Sequence, residues 1–447
     1  MTTLNQQGLP PAVSPQAAAP SDDGLAVRTE PIPRSIVMAT VAGNAMEFYD
    51  FTTYAFFAVY IGKTFFPAGN EFVSLLMSVA VFGVGFFTRP LGGILIGAFA
   101  DRVGRKPAML LTIILITAGT LGLAATPSYE SIGIAAPIIV VLCRLVQGLA
   151  LGGEVGPSTS YLIEIAPAGK RGLYGSWQLA SQGLSSMVAG IVGVALTLSL
   201  SPEQMQAWGW RLPFLLGLLL IPIAIFLRRR MPETLAHEAG AGSAHSALGA
   251  SVKQHVRPIA MAVMMIVGMT VSTYAAIYMT TYAITTLKLP PAIGMASTVI
   301  FGLATLVGSL LGGWLSDRYG RKPVMLWPRL ALLLLTYPAF MALIHYTNFF
   351  TLACVTLLLA SLTALSGAAS LVFIPEQFPG HVRALGMSIA YAIGVTLFGG
   401  TAQFVMTWLI GATGDPAAPA LYVVVTSLAT LTAVLLVPET GRQPLKR

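Results

Sequence analysis

Gly43, Glu47, Asp50 and Tyr54 follow one another at spacings of four, three and four inside a run that is otherwise apolar from about 36 to 61. In a helix that spacing puts both carboxylates on one face. Like charges held that close repel, and such a pair suits a group that takes up and releases a proton. A structural tie between one of them and a neighbouring helix would explain the same pattern.

Three turns or so before Asp101, Arg89 stands about 18 Å along its helix from the loop, close to the middle of a membrane. An ionisable side chain there normally faces a partner or a watery cavity. A guanidinium is always charged, and its planar fork matches a carboxylate, so a lone Arg in a cavity is a natural site for an organic anion. The competing reading is a fixed ion pair with Glu47, Asp50 or Glu154.

Arg144, Gln147, Leu151, Glu154, Ser158 and Tyr161 share a second helical face, while Gly148, Gly152 and Gly156 form a ladder beside it. Small residues let helices approach closely in lipid. Arg144 and Glu154 are about 15 Å apart along the axis and cannot pair directly, so each needs another partner, with the helix of Asp50 an obvious source. Neutral candidates for binding are Tyr54, Gln178, Gln182, Tyr274, Tyr278 and Gln403, which can hold a polar ligand by hydrogen bonds. Tyrosine at four-residue spacing, as in Tyr274, Tyr278 and Tyr282, equally serves packing.

The elements that position these residues must lie in lipid. Of the 447 residues 55% are hydrophobic and only 9% charged, with a mean hydropathy of +0.77, whereas a soluble domain has roughly a quarter of its residues charged. Apolar stretches of spanning length fall near 36–61, 72–100, 108–126, 134–164, 173–200, 212–228, 258–287, 293–316, 324–345, 349–378, 384–411 and 419–438. Most of the 25 Lys and Arg then fall on one side, leaving Lys63, Arg211 and Lys288 on the other. By the positive-inside rule both termini are cytoplasmic. The net charge of +8 thus reflects membrane orientation and gives no reason to expect a nucleic-acid partner. Arg329, a turn or two inside its span, is expected to snorkel to the interface.

The loop 101–107 (Asp-Arg-Val-Gly-Arg-Lys-Pro) returns at 317–323 as Asp-Arg-Tyr-Gly-Arg-Lys-Pro. Glu164-Ile-Ala-Pro167 with Arg171 returns as Glu376-Gln-Phe-Pro379 with Arg383, and Pro232-Glu-Thr234 as Pro438-Glu-Thr440. A duplicated loop between membrane-length helices marks two tandem halves, and the architecture of a transporter. Asp101, Arg105, Asp317, Arg321, Glu164, Arg171, Glu376 and Arg383 sit at helix ends, where carboxylates can cap amides and arginines can meet free carbonyls. They are read both as fold brackets and as a latch on the cytoplasmic gate. At the repeat offsets Arg89 aligns with Thr305, Arg144 with Thr356 and Glu154 with Ser366, so the second half keeps the loops but drops the membrane charges.

Residues 1–33 carry no signal-peptide core and are expected to be a disordered cytoplasmic tail. The expected organisation is a six-helix bundle over 34–228, a cytoplasmic linker over 229–257, a second bundle over 258–438 and a tail over 439–447. Cys143 and Cys354 give neither a disulfide framework nor metal spacing. No phosphate-binding Gly-rich loop is present, so ATP is not the expected energy source. No cofactor, no metal and no enzymatic activity are expected.

The loop Gly97-x3-Asp101-Arg-x-Gly-Arg-Lys106 with its second copy, Arg144-Leu-Val-Gln-Gly148 and the Pro-Glu-Thr ends resemble the major facilitator superfamily. Within it, Gly43-Asn-Ala-Met-Glu-Phe-Tyr-Asp-Phe51, Arg89-Pro-Leu-Gly-Gly93, Gly152-Gly-Glu154 and Trp208-Gly-Trp-Arg-Leu-Pro-Phe214 resemble the metabolite:proton symporters. Lys63-Thr-Phe-Phe-Pro67, Gly175-Ser-Trp-Gln-x-Ala-Ser-Gln182 and Gly411-Ala-Thr-Gly-Asp415 are most similar to the citrate and tricarballylate carriers. The resemblance spans about 35 to 440. It implies an all-α membrane protein of twelve transmembrane helices, two six-helix bundles in the major facilitator fold, working as a monomer in a bacterial inner membrane. Its implied partners are protons, the lipid bilayer and a small organic anion such as citrate. Carriers of 2-oxoglutarate, shikimate or zwitterionic osmolytes use similar motifs and stay open as alternatives, as does a transport-dead receptor. In this reading Asp50, Glu47 or Glu154 carries the proton, and Arg89 and Arg144 the anion.

Overall fold

Lipid offers the backbone no hydrogen-bond partner, so an apolar run that crosses it satisfies itself as a helix. The computed structural model describes residues 34–103, 105–152, 159, 162–163, 166–167, 169–229, 255–379 and 383–441. The elements are α1 (Arg34–Phe56), α2 (Ala58–Phe65), α3 (Glu71–Phe87), α4 (Arg89–Val103), α5 (Arg105–Ala125), α6 (Tyr129–Ile132) and α7 (Ala135–Leu151). They continue with α8 (Arg171–Ser199), α9 (Pro202–Ala207), α10 (Leu212–Arg229), α11 (Val256–Thr285) and α12 (Pro291–Tyr319). The last are α13 (Arg321–His345), α14 (Phe349–Glu376), α15 (Arg383–Gly394), α16 (Gly400–Thr413) and α17 (Ala418–Leu436).

Among the described residues eight helices are long and apolar enough to cross a membrane by themselves, and Leu110–Ala125, Ala135–Leu151 and Gly209–Leu219 are shorter apolar ones. The twelfth span is α1 continued by α2, where Glu47 and Asp50 dilute the hydropathy. The chain therefore forms twelve transmembrane helices in two six-helix bundles, α1 to α10 and α11 to α17.

The bundles meet along two seams, α8 on α12 and α3 on α16. Glycine makes the first seam possible: a Cβ at Gly183 of α8 would lie 2.5 Å from the Leu306 nitrogen and 2.7 Å from the Gly302 oxygen. The second seam is stitched at a proline. Pro90 has no N–H for the Phe86 carbonyl one turn back, and Thr396 Oγ1 of the opposite bundle donates to that carbonyl instead, at 3.1 Å. Thr396 lies in a π-helical segment, Val395–Gly399, between α15 and α16. Inside the first bundle, Gly148 and Gly152 of the expected ladder press α7 against the backbone of α3 and α4 at Gly85 and Arg89. Gly156 lies outside the described residues.

Arg329 does not snorkel. It is fully buried and its Nη1 donates to the Gly268 carbonyl at 3.0 Å and to Ser272 Oγ at 2.9 Å. Two turns inside α13, the side chain takes the nearer polar partner on α11 instead of reaching back to the interface. The second half therefore does keep a membrane charge, contrary to the reading from the repeat.

The seam glycines give a stability prediction. Gly183→Leu should destabilise the detergent-solubilised protein by about 3 kcal/mol, the upper end for overpacking, because rigid backbone atoms face it. Leu184→Ala, at a neighbouring position that is 38% exposed, should shift the thermal unfolding midpoint far less. Equal midpoints for the two variants would contradict the packing.

Candidate functional site

Gly43, Glu47 and Asp50 of α1 line a cavity of about 30 Å³ between α1, α5 and α10, whose other walls include Thr117 and Gly217. Both carboxylates are buried. Asp50 Oδ2 accepts from Thr120 Oγ1 at 2.6 Å, while Oδ1 has no hydrogen-bond partner. Thr120 Oγ1 in turn accepts from Gln147 Nε2 at 2.8 Å, and Gln147 Oε1 accepts from Arg144 Nη1 at 2.8 Å. An unbroken hydrogen-bonded chain thus runs from Asp50 through Thr120 and Gln147 to Arg144, across α1, α5 and α7.

Arg144 is fully buried and Arg89 is 7% exposed. Aromatic faces surround them. The Arg89 guanidinium carbon lies 4.1 Å from the Phe86 ring centre and 4.5 Å from that of Phe51. That of Arg144 lies 4.5 Å from Tyr54, 4.9 Å from Phe51 and 5.3 Å from Phe82. Ring faces carry partial negative charge and hold cations without consuming any N–H. In both arginines the buried Nε and Nη2 have no hydrogen-bond partner. Those two atoms form one edge of the guanidinium, the fork that takes a carboxylate in two parallel bonds. Among the described residues neither arginine makes an ion pair within 4.0 Å.

A second cavity, of about 40 Å³, lies where the bundles meet. Phe48 and Thr52 of α1, Gln182 of α8, Tyr274 of α11, Thr305 of α12 and Thr363 of α14 line it. This volume is only a little more than that of a single water, about 30 Å³, so the halves must part before an organic acid can enter. Tyr274 lines this cavity and also packs on the rings that lie against the arginines. Its ring stands edge-on to Phe82 and Phe86, with centres 5.9 and 5.7 Å away.

The neutral candidates divide. Gln182 and Tyr274 line the central cavity, whereas Gln178 Nε2 is tied to Asn44 Oδ1 at 2.9 Å. Tyr278 accepts from Thr407 Oγ1 at 3.0 Å, and the Tyr54 hydroxyl donates to the Ser78 carbonyl at 3.2 Å. Gln403 is fully buried, with both amide atoms unpartnered. Glu154 lies outside the described residues. Phe51, Phe86 and Thr120 escaped the sequence reading, since phenylalanine and threonine are ordinary in any apolar helix.

At the end of the bundles bearing the second basic loop, Asp317 reaches across the halves. Its carboxylate accepts from Gly172 N and Leu173 N at 2.7 and 2.8 Å, where α8 begins with unpaired amides. Arg321 Nη1 meets Asp317 at 2.8 Å and its Nη2 meets Glu376 at 3.1 Å; Arg171 of the other half stands 4.0 Å from Glu376. Glu439 accepts from the backbone N–H groups of Arg321 and Lys322, both at 2.7 Å. Burial would raise its pKa, but these bonds and those from Gly441 and Thr440 prevail and hold it below the usual range. Arg383 is buried near the start of α15. The side chains of Asp101 and Arg105, and Glu164 altogether, lie outside the described residues.

The sequence matches the model of the family described as sugar (and other) transporter over residues 35–249 and 236–447. It is 36% identical over 403 residues to the citrate–proton symporter of Salmonella typhi, covering 89% of this chain and 92% of that protein. It is 35% identical over 381 residues to the alpha-ketoglutarate permease of Escherichia coli (strain K12), covering 83% and 85% of the two chains. The crystal structure of a D-xylose–proton symporter superposes with a TM-score of 0.74 over 92% of this chain and 99% of that one, at 20% identity. That likeness is one of fold. With the twelve helices and the seams between their halves, these matches show that the chain belongs to the sugar (and other) transporter family, within the major facilitator superfamily.

Proposed function

We propose that the protein is a secondary active carrier that moves a proton together with an organic anion, a di- or tricarboxylate such as citrate. One observation carries this reading. Two buried guanidiniums have forks without a hydrogen-bond partner, and one of them is joined by hydrogen bonds to a buried carboxylate that is not in direct contact with it. The match to a citrate–proton symporter supports the choice of substrate class.

The coupling follows from charge. Arg144 lies within electrostatic range of both Asp50 and Arg89. A charged Asp50 offsets part of the positive field of the arginines; a protonated Asp50 leaves that field uncompensated and favours an anion at the forks. Linkage makes the effect mutual, so bound anion also favours the proton. Proton and anion then cross together while the two halves, over 34–228 and 258–438, rock about the cavity. Arg89 and Arg144 hold the anion. Gln182 and Tyr274 contact it from the cavity wall, with Tyr54, Gln178, Tyr278 and Gln403 reachable only after rearrangement. Asp317, Arg321, Arg171 and Glu376, with Asp101, Arg105, Glu164 and Arg383, form the cytoplasmic latch. Both termini lie on the cytoplasmic side of a bacterial inner membrane, and a monomer suffices.

Arg89→Gln should leave the protein inserted but lower citrate uptake into vesicles by about 100-fold, the loss of one charge-assisted fork. Arg89→Lys keeps the charge without the fork and should weaken uptake only about tenfold. Unchanged citrate uptake by an inserted Arg89→Gln protein would remove that residue from the site.

Asp50→Asn should behave as a permanently protonated carrier, since an amide approximates a protonated acid but has no proton to release. Counterflow of labelled citrate should survive and accumulation driven by an imposed pH gradient should fail. Accumulation equal to that of the parent protein would place the coupling elsewhere.

A further inference from the structure

Among the described residues Phe51 is the one ring that both guanidiniums share: the carbon of Arg89 lies over it at 4.5 Å and that of Arg144 at 4.9 Å. The two cations therefore stand no further apart than those two distances laid end to end. Phe51 is itself fixed, 2% exposed, with the rings of Phe82 and Phe86 each 4.9 Å away. Like charges in a low-dielectric interior would separate if nothing held them. A flat ring over which both lie opposes that drift.

The stereochemistry is compatible with a ligand. Stacking uses the face of a guanidinium, whereas carboxylate binding uses its edge, and the open Nε and Nη2 atoms are on that edge in both residues. A carboxylate bound in the fork has its carbon about 4 Å from the guanidinium carbon. Two carboxyl carbons joined by four C–C bonds are about 5 Å apart when extended. One polycarboxylate can thus reach both forks at once, while a monocarboxylate satisfies one and leaves the other cation buried without a counter-ion.

We propose that Phe51 is a specificity-determining spacer: its ring sets the distance between the Arg89 and Arg144 forks, so that anions with two or more carboxylates are selected over those with one. The proposal rests on the anion-carrier reading and adds to it the residue that measures the substrate. Phe51 acts through the arginines, so it is a positioning residue. The rings of Phe82 and Phe86 each touch only one of the two guanidiniums and cannot set their separation.

The test is equilibrium binding of tricarballylate and of propionate, its counterpart with one carboxylate, to purified full-length protein in detergent. The parent protein should prefer tricarballylate by about 100-fold or more, as expected when a second charge-assisted fork is engaged. Phe51→Tyr keeps the ring and should keep that preference. Phe51→Leu keeps apolar volume but has no face to stack on, and should shrink the preference at least tenfold, chiefly through weaker tricarballylate binding. A general loss of packing would weaken both probes alike and leave their ratio intact; that result, or an unchanged ratio with unchanged affinities, would overturn the spacer. Loss of the preference in Phe51→Tyr as well would also overturn it. Undiminished binding of both probes by Arg89→Gln would instead sink the anion site, and the spacer with it.

Discussion

Two buried guanidiniums, those of Arg89 and Arg144, constrain this molecule more than any other feature. A buried cation without a counter-ion destabilises a protein by several kcal/mol, and here two stand over one phenylalanine ring. The surroundings answer in three ways: aromatic faces lie against the cations, Gln147 takes one N–H of Arg144, and Asp50 contributes a negative charge through Thr120. None of these occupies the Nε–Nη2 edges. The arrangement tolerates the cations without neutralising them, which is what a site for a visiting anion requires and what a permanent ion pair would forbid.

Alternating access asks that the contacts between halves be close but separable. The seams are built that way. Along α8 and α12, glycine lets backbones touch without interlocking side chains. Across the basic-loop end, Asp317 holds the start of α8 through two amide hydrogen bonds, backed by Arg321 and Glu376. Hydrogen bonds of this kind contribute about 1–3 kcal/mol each, enough to bias one state without making it permanent. The Thr396 bond to the carbonyl that Pro90 leaves without its helical partner ties the π-helical segment before α16 to Phe86 at the end of α3, so movement along this seam acts directly beside Arg89.

The charged members of the candidate site are legible in the chain because lipid makes them anomalous: Asp50, Arg89 and Arg144 interrupt apolar runs and need a reason to be there. Their aromatic shell is not. Phe86 is fully buried against Arg89, whereas Phe87 beside it is 55% exposed, and nothing in their residue type separates the two. Thr120 was equally silent, since hydroxyls in membrane helices commonly bond their own preceding turn, as Thr117 does with Ile113. The helix-end chemistry of Asp317 could be read from its position, but its partner helix depends on how two halves dock. Arg329 departs from the expected snorkelling for a related reason. Its distance from the helix end suggested snorkelling, while the Gly268 carbonyl and Ser272 of α11 offered a partner visible only after folding.

In the proposed mechanism anion binding at the arginines and proton binding at Asp50 are one linked event. Proton uptake on mixing citrate with purified protein in weakly buffered solution measures that link directly, without vesicles or gradients. The parent protein should remove protons from solution as citrate binds, and Asp50→Asn should bind citrate with none removed. Citrate binding by the parent protein with no proton taken up, or the same uptake in Asp50→Asn, would contradict it.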